Sequence, residues 1–136
     1  MQRHAIAIAL SILLLAPATV ALAAWSASGS GGGTGAAATM PAGNAPTARV
    51  SGSDVVLTWP AATFANGAAV AGYTLLRYDA NGDAVPVGGS CAGTVTGTTC
   101  TDRAVPAGTW TYTDTPVQVG WTGAASPPSG PALVGS

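Results

Sequence analysis

From about residue 47 onward, apolar and polar residues alternate in short runs with a period of two, and turn residues separate the runs. Asp54-Val-Val-Leu-Thr-Trp59 puts Val55, Leu57 and Trp59 on one parity, and Gly72-Tyr-Thr-Leu-Leu-Arg-Tyr78 does the same for Tyr73 and Leu75. Side chains two apart on a strand share a face, so each run predicts one apolar face. Strands are predicted at residues 47–50 (an edge), 54–59, 71–78, 84–87, 98–102 and 109–115. Pro86 confines the fourth to an edge, and Pro116 is expected to stop the sixth. A last strand is expected within residues 117–134, broken up by Pro127, Pro128 and Pro131. Between the strands, Asn66-Gly67, Asn81-Gly82 and Pro106-Ala-Gly108 have the chemistry of tight turns. Seven short strands without a convincing helix predict an all-β, two-sheet sandwich. Its expected core is Val55, Leu57, Trp59, Tyr73, Leu75, Trp110 and Tyr112.

Asp114 disturbs this scheme because it shares the parity of Trp110 and Tyr112. A lone buried carboxylate costs several kcal/mol unless it is paired or neutralised. Two resolutions are open: the strand leaves the core near Thr113, or Arg77 or Arg103 reaches the carboxylate. The first is favoured here, and it leaves the register of the last strand open.

The N-terminal third follows different rules. Arg3 and His4 precede an apolar run at residues 5–16 that contains one polar residue, Ser11, and Ala21-Leu-Ala23 fits a small-x-small processing site. The run is short of the roughly 20 residues that a spanning helix needs. The expectation is a cleaved signal peptide over residues 1–23, with an uncleaved anchor through residues 5–24 as the alternative. Residues 24–43 are rich in Gly, Ser and Ala and read as a flexible linker. The remaining residues, 44–134, are expected to form the domain. The chain would then be secreted, or held on the outer face of the cytoplasmic membrane. In such a compartment Cys91 and Cys100 are expected to form a structural disulfide.

Leu57-Thr-Trp-Pro60, Val70-Ala-Gly-Tyr-Thr-Leu-Leu-Arg77 and Pro106-Ala-Gly-Thr-Trp-Thr-Tyr112 together resemble a fibronectin type III domain of the bacterial kind. The resemblance runs from near Asn44 to near Leu133. It implies a seven-stranded immunoglobulin-like sandwich, used as a spacer or adhesion module on secreted and cell-surface proteins, often beside extracellular polysaccharide hydrolases. The family usually lacks a disulfide, so the cysteine pair is an addition. Asp114 also stands where the family places an aliphatic residue.

Composition narrows the chemistry. Charged residues are 7% of the 136, against roughly 25% in an ordinary domain. All four bases are Arg (Arg3, Arg49, Arg77, Arg103) and all five acids are Asp (Asp54, Asp79, Asp83, Asp102, Asp114). Without a basic cluster there is no electrostatic footprint for nucleic acid. His4 lies in the targeting segment, so its cleavage would leave no imidazole for a Ser-His-Asp site or a His-based metal site. No catalytic residue, metal site or cofactor is expected. Asp79-Ala-Asn-Gly-Asp83 is superficially similar to the start of a calcium loop, but its glycine falls at the fourth position instead of the sixth. It is read as a hairpin turn with the Asp side chains capping the backbone.

Three functional readings follow. The leading one is a non-enzymatic exported structural or interaction module with an unknown protein or polysaccharide partner at the cell surface. The alternative is a small carbohydrate-binding module that contacts its ligand through exposed Trp121 and Tyr78. A third, a surface-fibre subunit joined by β-augmentation, rests only on uncovered strand edges.

Overall fold

A computed structural model of the chain describes residues 38–136. The expectations for residues 1–37 (signal peptide or anchor, and most of the linker) lie outside the described residues. Two antiparallel sheets face each other. The first has the order β1-β2-β6, from β1 (Thr47–Ser51), β2 (Asp54–Thr58) and β6 (Thr99–Asp102). The second is built around β3 (Gly72–Tyr78) and β7 (Gly108–Gln118), paired from Gly72↔Val117 to Tyr78↔Thr111. Two short strands, β4 (Ala84–Val85) and β5 (Thr94–Val95), share the far edge of β3. On the other side of β7 lie β8 (Trp121–Thr122) and β9 (Ala132–Val134). The predicted all-β sandwich is the observed architecture.

Parity decides what is inside. Val55 and Leu57 of β2 and Trp59 just beyond it face Tyr73 and Leu75 of β3 and Trp110 and Tyr112 of β7, and all seven are buried. Trp59 and Tyr73 meet edge to face with ring centroids 5.4 Å apart, an arrangement that sets a ring edge against a π-face. The Tyr73 hydroxyl accepts the Ala62 N–H at 2.7 Å, tying the loop after β2 to the second sheet.

The structure corrects the sequence reading along β7. Pro116 does not stop this strand, which runs on to Gln118. The Pro116 carbonyl accepts the Gly123 N–H, on the side away from β3. The donor that proline lacks falls on that same side, so the β3–β7 ladder loses nothing. The strand also does not leave the core at Thr113: Asp114 stays in phase, opposite Leu75, and is fully buried. Neither arginine reaches it, since Arg77 pairs with Asp102 and Arg103 lies by Asp54.

The predicted last strand is split in two by its prolines. Between β8 and β9 the ladder is replaced by two serines. Ser126 donates its N–H to the Asp114 carbonyl and accepts the Asp114 N–H on its hydroxyl. Ser129 does the same for Tyr112. Each serine thus satisfies a backbone donor and acceptor that a regular neighbouring strand would have satisfied.

A disulfide joins Cys91 and Cys100. Cys91 ends a 3-10 turn (Gly89–Cys91), and Cys100 lies in β6. The turn passes against the free edge of β6, where the Ser90 hydroxyl accepts the Thr101 N–H at 2.8 Å. Gly89 has φ +58, and a Cβ there would collide with the Thr101 carbonyl oxygen, so only glycine lets the turn lie this close. Replacing both cysteines by serine is expected to lower the unfolding free energy by about 2.5–3 kcal/mol, the loop-closure entropy of so short a bridge. Urea unfolding of the two proteins measures the difference, and an unchanged midpoint would contradict it.

Candidate functional site

Charge is segregated along the long axis of the sandwich. At one end lie residues 38–46, the loop from β2 to β3, the approach to β6 and the β7–β8 hairpin, and none of these segments contains an Asp or an Arg. Exposed Asp83 and Arg103 and half-buried Asp54 and Asp79 lie at the opposite end, and Arg49 sits in the middle of β1. Among the described residues three ionisable ones are interior: Arg77, Asp102 and Asp114.

The charge-free end carries a groove of about 270 Å³ lined by Ala38, Met40, Phe64, Gln118, Val119 and Trp121. Val119 and Trp121 are 90% and 57% exposed, at the tip of a hairpin that turns at Gly120 (φ +74). Gln118 is the one polar side chain in the lining, and its Oε1 already accepts the Ala71 N–H at 2.8 Å. Of the two aromatics assigned to ligand contact from sequence, Trp121 is at this groove. Tyr78 closes β3 at the other end of the same sheet, half-buried. Six residues separate Tyr78 from Gly72, which pairs with Val117, or roughly 20 Å along a strand. The fold does not bring the two together.

Asp79 is occupied by its own turn. Its Oδ1 accepts the N–H groups of Asn81 and Asp83, and Gly82 takes φ +85. The Asp83 N–H first, with that of Asn81, holds its carboxyl below the ordinary value. Both cap bonds come from this one side chain, so the aspartates do not cap the hairpin jointly.

A buried polar cluster spans the interior toward the charged end. The Arg77 Nη1 lies 2.8 Å from the Asp102 Oδ2, with both side chains buried. The Tyr112 hydroxyl donates to the same oxygen at 3.1 Å, and the Gly88 N–H donates to Oδ1 at 2.6 Å. The guanidinium carbon stands 4.6 Å from the Trp110 ring centroid, while the indole N–H bonds the Pro106 carbonyl. Burial, and then the Asp102 charge, push the Tyr112 phenol well above its ordinary range. Arg77, Asp102 and Tyr112 are thus tied to one another across the two sheets, and the Arg77 Nε has no hydrogen-bond partner. Sequence reasoning missed this cluster, although Arg77 shares the parity of Tyr73 and Leu75, and Asp102 that of Cys100.

Asp114 is the opposite case. Neither of its carboxylate oxygens has a hydrogen-bond partner. Burial raises its pKa to about 6, against the pull of the nearby Asn44 backbone N–H.

Removing the Asp102 carboxylate strands a buried guanidinium, which typically costs 3–5 kcal/mol. Asp102→Ala is therefore expected to lose about that much stability in urea unfolding, and Arg77→Met with Asp102→Leu to lose less than Asp102→Ala alone. A single variant within about 1 kcal/mol of wild type would show that the pair is not buried as described.

No family model matches this sequence, and no curated protein matches it. Solved structures do match in fold. One contains titin kinase and its flanking domains (TM-score 0.60, 17% identity, 72% of this chain and 18% of that one). Another is the twitchin kinase region from C. elegans (TM-score 0.55, 19% identity, 70% and 17%). A third is a β-1,2-glucanase from Parabacteroides distasonis (TM-score 0.52, 13% identity, 74% and 13%). The chain spans less than a fifth of the length of each. The matched titin domains are of the immunoglobulin and fibronectin type III type. Residues 47–134 thus form an immunoglobulin/fibronectin type III-like β-sandwich.

Proposed function

We propose that the protein is a non-enzymatic exported module of the fibronectin type III kind, acting as a spacer or adhesion domain on the cell surface or in secreted form. Its charge-free end is the end that meets a partner. The observation that carries this reading is the division of labour among polar groups. Arg77, Asp102 and Tyr112 are used to join the sheets, and the exposed charges sit away from the apolar groove. An uncharged, apolar lining suits a neutral surface, because no buried charge there needs a counter-ion. The disulfide is compatible with export. Among the described residues no helix is long and apolar enough to cross a membrane.

The alternative, carbohydrate binding, is favoured by one feature, the exposed indole of Trp121 beside the groove. Stacking on a sugar ring needs such a face. The glucanase neighbour shares the fold alone.

Three measurements test these readings. Protease shaving of intact cells and N-terminal sequencing of the exported protein locate it: a start near Ala24 supports cleavage, a start at Met1 supports the anchor, and protection from protease contradicts export. Affinity electrophoresis against soluble and insoluble glycans is expected to show free migration. Retardation that disappears in Trp121→Ala would replace the spacer reading with the carbohydrate one.

A further inference from the structure

Residues 38–46 have no regular structure, yet they lie against the sandwich as a strap. Gly43 is buried and donates its N–H to the Ala124 carbonyl at 3.0 Å. The Asn44 side chain donates to the Pro60 and Ala61 carbonyls at 3.2 Å. At Gly43 the strap crosses directly over Asp114: a Cβ there would collide with the Asp114 carboxyl and with its carbonyl oxygen. The strap therefore forms the roof of the site that holds the unpartnered carboxyl. The same strap carries Ala38 and Met40 into the wall of the groove.

We propose that Asp114 is a proton-operated latch: neutral, it lets the strap close over β7 and complete the groove, and ionised, it lifts the strap and takes Ala38 and Met40 out of the groove wall.

The physical reason is the absence of compensation. Neither oxygen of this carboxyl has a hydrogen-bond partner, and the nearby Asn44 N–H offsets only part of the cost of burial, so the ionised form is driven to find water or a proton. The floor is β7, held to β3 along its length, whereas the roof is held by few hydrogen bonds. Lifting the roof is the least costly route to hydration. The other ionisable groups of the interior do not intervene. Arg77 and Tyr112 are both bonded to Asp102, and the Tyr73 hydroxyl accepts the Ala62 N–H. The strap, the segment around Ser126 and the Leu75 position opposite contribute no charge. Of the neighbouring edges, β1 carries only Arg49, which is exposed.

The sign follows from the direction of the shift. The closed-state pKa is raised to about 6 from an ordinary 3.8. Closure is fully favoured below the ordinary value and weakens as pH rises toward the raised one. The consequence for binding rests on the reading of this end as the contact end, but the latch does not.

Amide exchange of the full chain, followed by NMR and corrected for the intrinsic pH dependence of exchange, tests the latch without a ligand. The Gly43 amide is expected to lose protection on the order of 50-fold between about pH 4 and pH 7, while amides of β2 do not follow it. Asp114→Asn, neutral at every pH, is expected to abolish that loss. Should the variant not fold, the wild type still decides: the carbon-13 titration of the Asp114 carboxyl and the Gly43 exchange must share a midpoint. Equal pH response in wild type and variant, separate midpoints, or slower exchange at the higher pH would overturn the latch. The last would mean that the ionised carboxylate draws in the Asn44 N–H. Glycan or partner binding enters none of these measurements, so a failed binding assay leaves the latch standing, and the reverse holds.

Discussion

The salt bridge between Arg77 and Asp102 ties the sandwich together across its middle. Apolar faces in contact are attracted without direction, so two sheets packed only by Val, Leu and aromatic rings can shift against each other at small cost. An ion pair cannot shift in this way, because moving one partner leaves the other charged and dry. Arg77 comes from β3 and Asp102 from β6, in opposite sheets, and Tyr112 of β7 bonds the same carboxylate oxygen. Three strands are thereby fixed at one point. The Cys91–Cys100 bridge serves that point, because it holds β6 two residues before Asp102. Gly88, just ahead of the bridged turn, supplies the N–H that satisfies the second carboxylate oxygen. The stapled turn and the buried anion form one arrangement.

That arrangement shapes the rest of the molecule. Polar groups are concentrated toward the charged end, where the Asp102 carboxylate is bonded by guanidinium, phenol and backbone N–H. The other end is closed by the Trp59–Tyr73 contact and by backbone hydrogen bonds from loops, and it is left without charge. Along β7, paired serines restore the ladder that prolines interrupt, at Tyr112 and at Asp114. At Tyr112 the side chain is satisfied as well as the backbone. At Asp114 only the backbone is, and the carboxyl oxygens have no partner. One strand thus carries both a settled polar group and an unsettled one, two residues apart.

Much of the fold was legible because strand parity is written into the covalent chain. Alternate side chains emerge on opposite faces whatever the partner strand is, so Val55, Leu57, Trp59, Tyr73 and Leu75 could be assigned to one interior before any pairing was known. The same rule put Asp114 inside, and the misreading came from supposing that an unpaired acid must be led out of the core. Burial raised its pKa instead, and the size of that shift depends on depth of burial, which no local pattern reports. Pro116 was misjudged for a related reason. A proline ends a strand only if its missing N–H faces the ladder, and that orientation belongs to the sheet.

What the sequence settled is therefore what the backbone repeats locally: all-β architecture, the main inner side chains, the turns at Asn66-Gly67 and Asn81-Gly82, and the positions of the chain's few charges. The folded arrangement settled which distant residues became neighbours. It chose Asp102 for Arg77 and left Asp114 alone. It laid a stretch with the composition of a linker across β7, put Trp121 beside a groove, and sent Tyr78 to the far end of the sheet. Those choices depend on distances between strands far apart in sequence, and a chain that codes its faces two residues at a time does not code them.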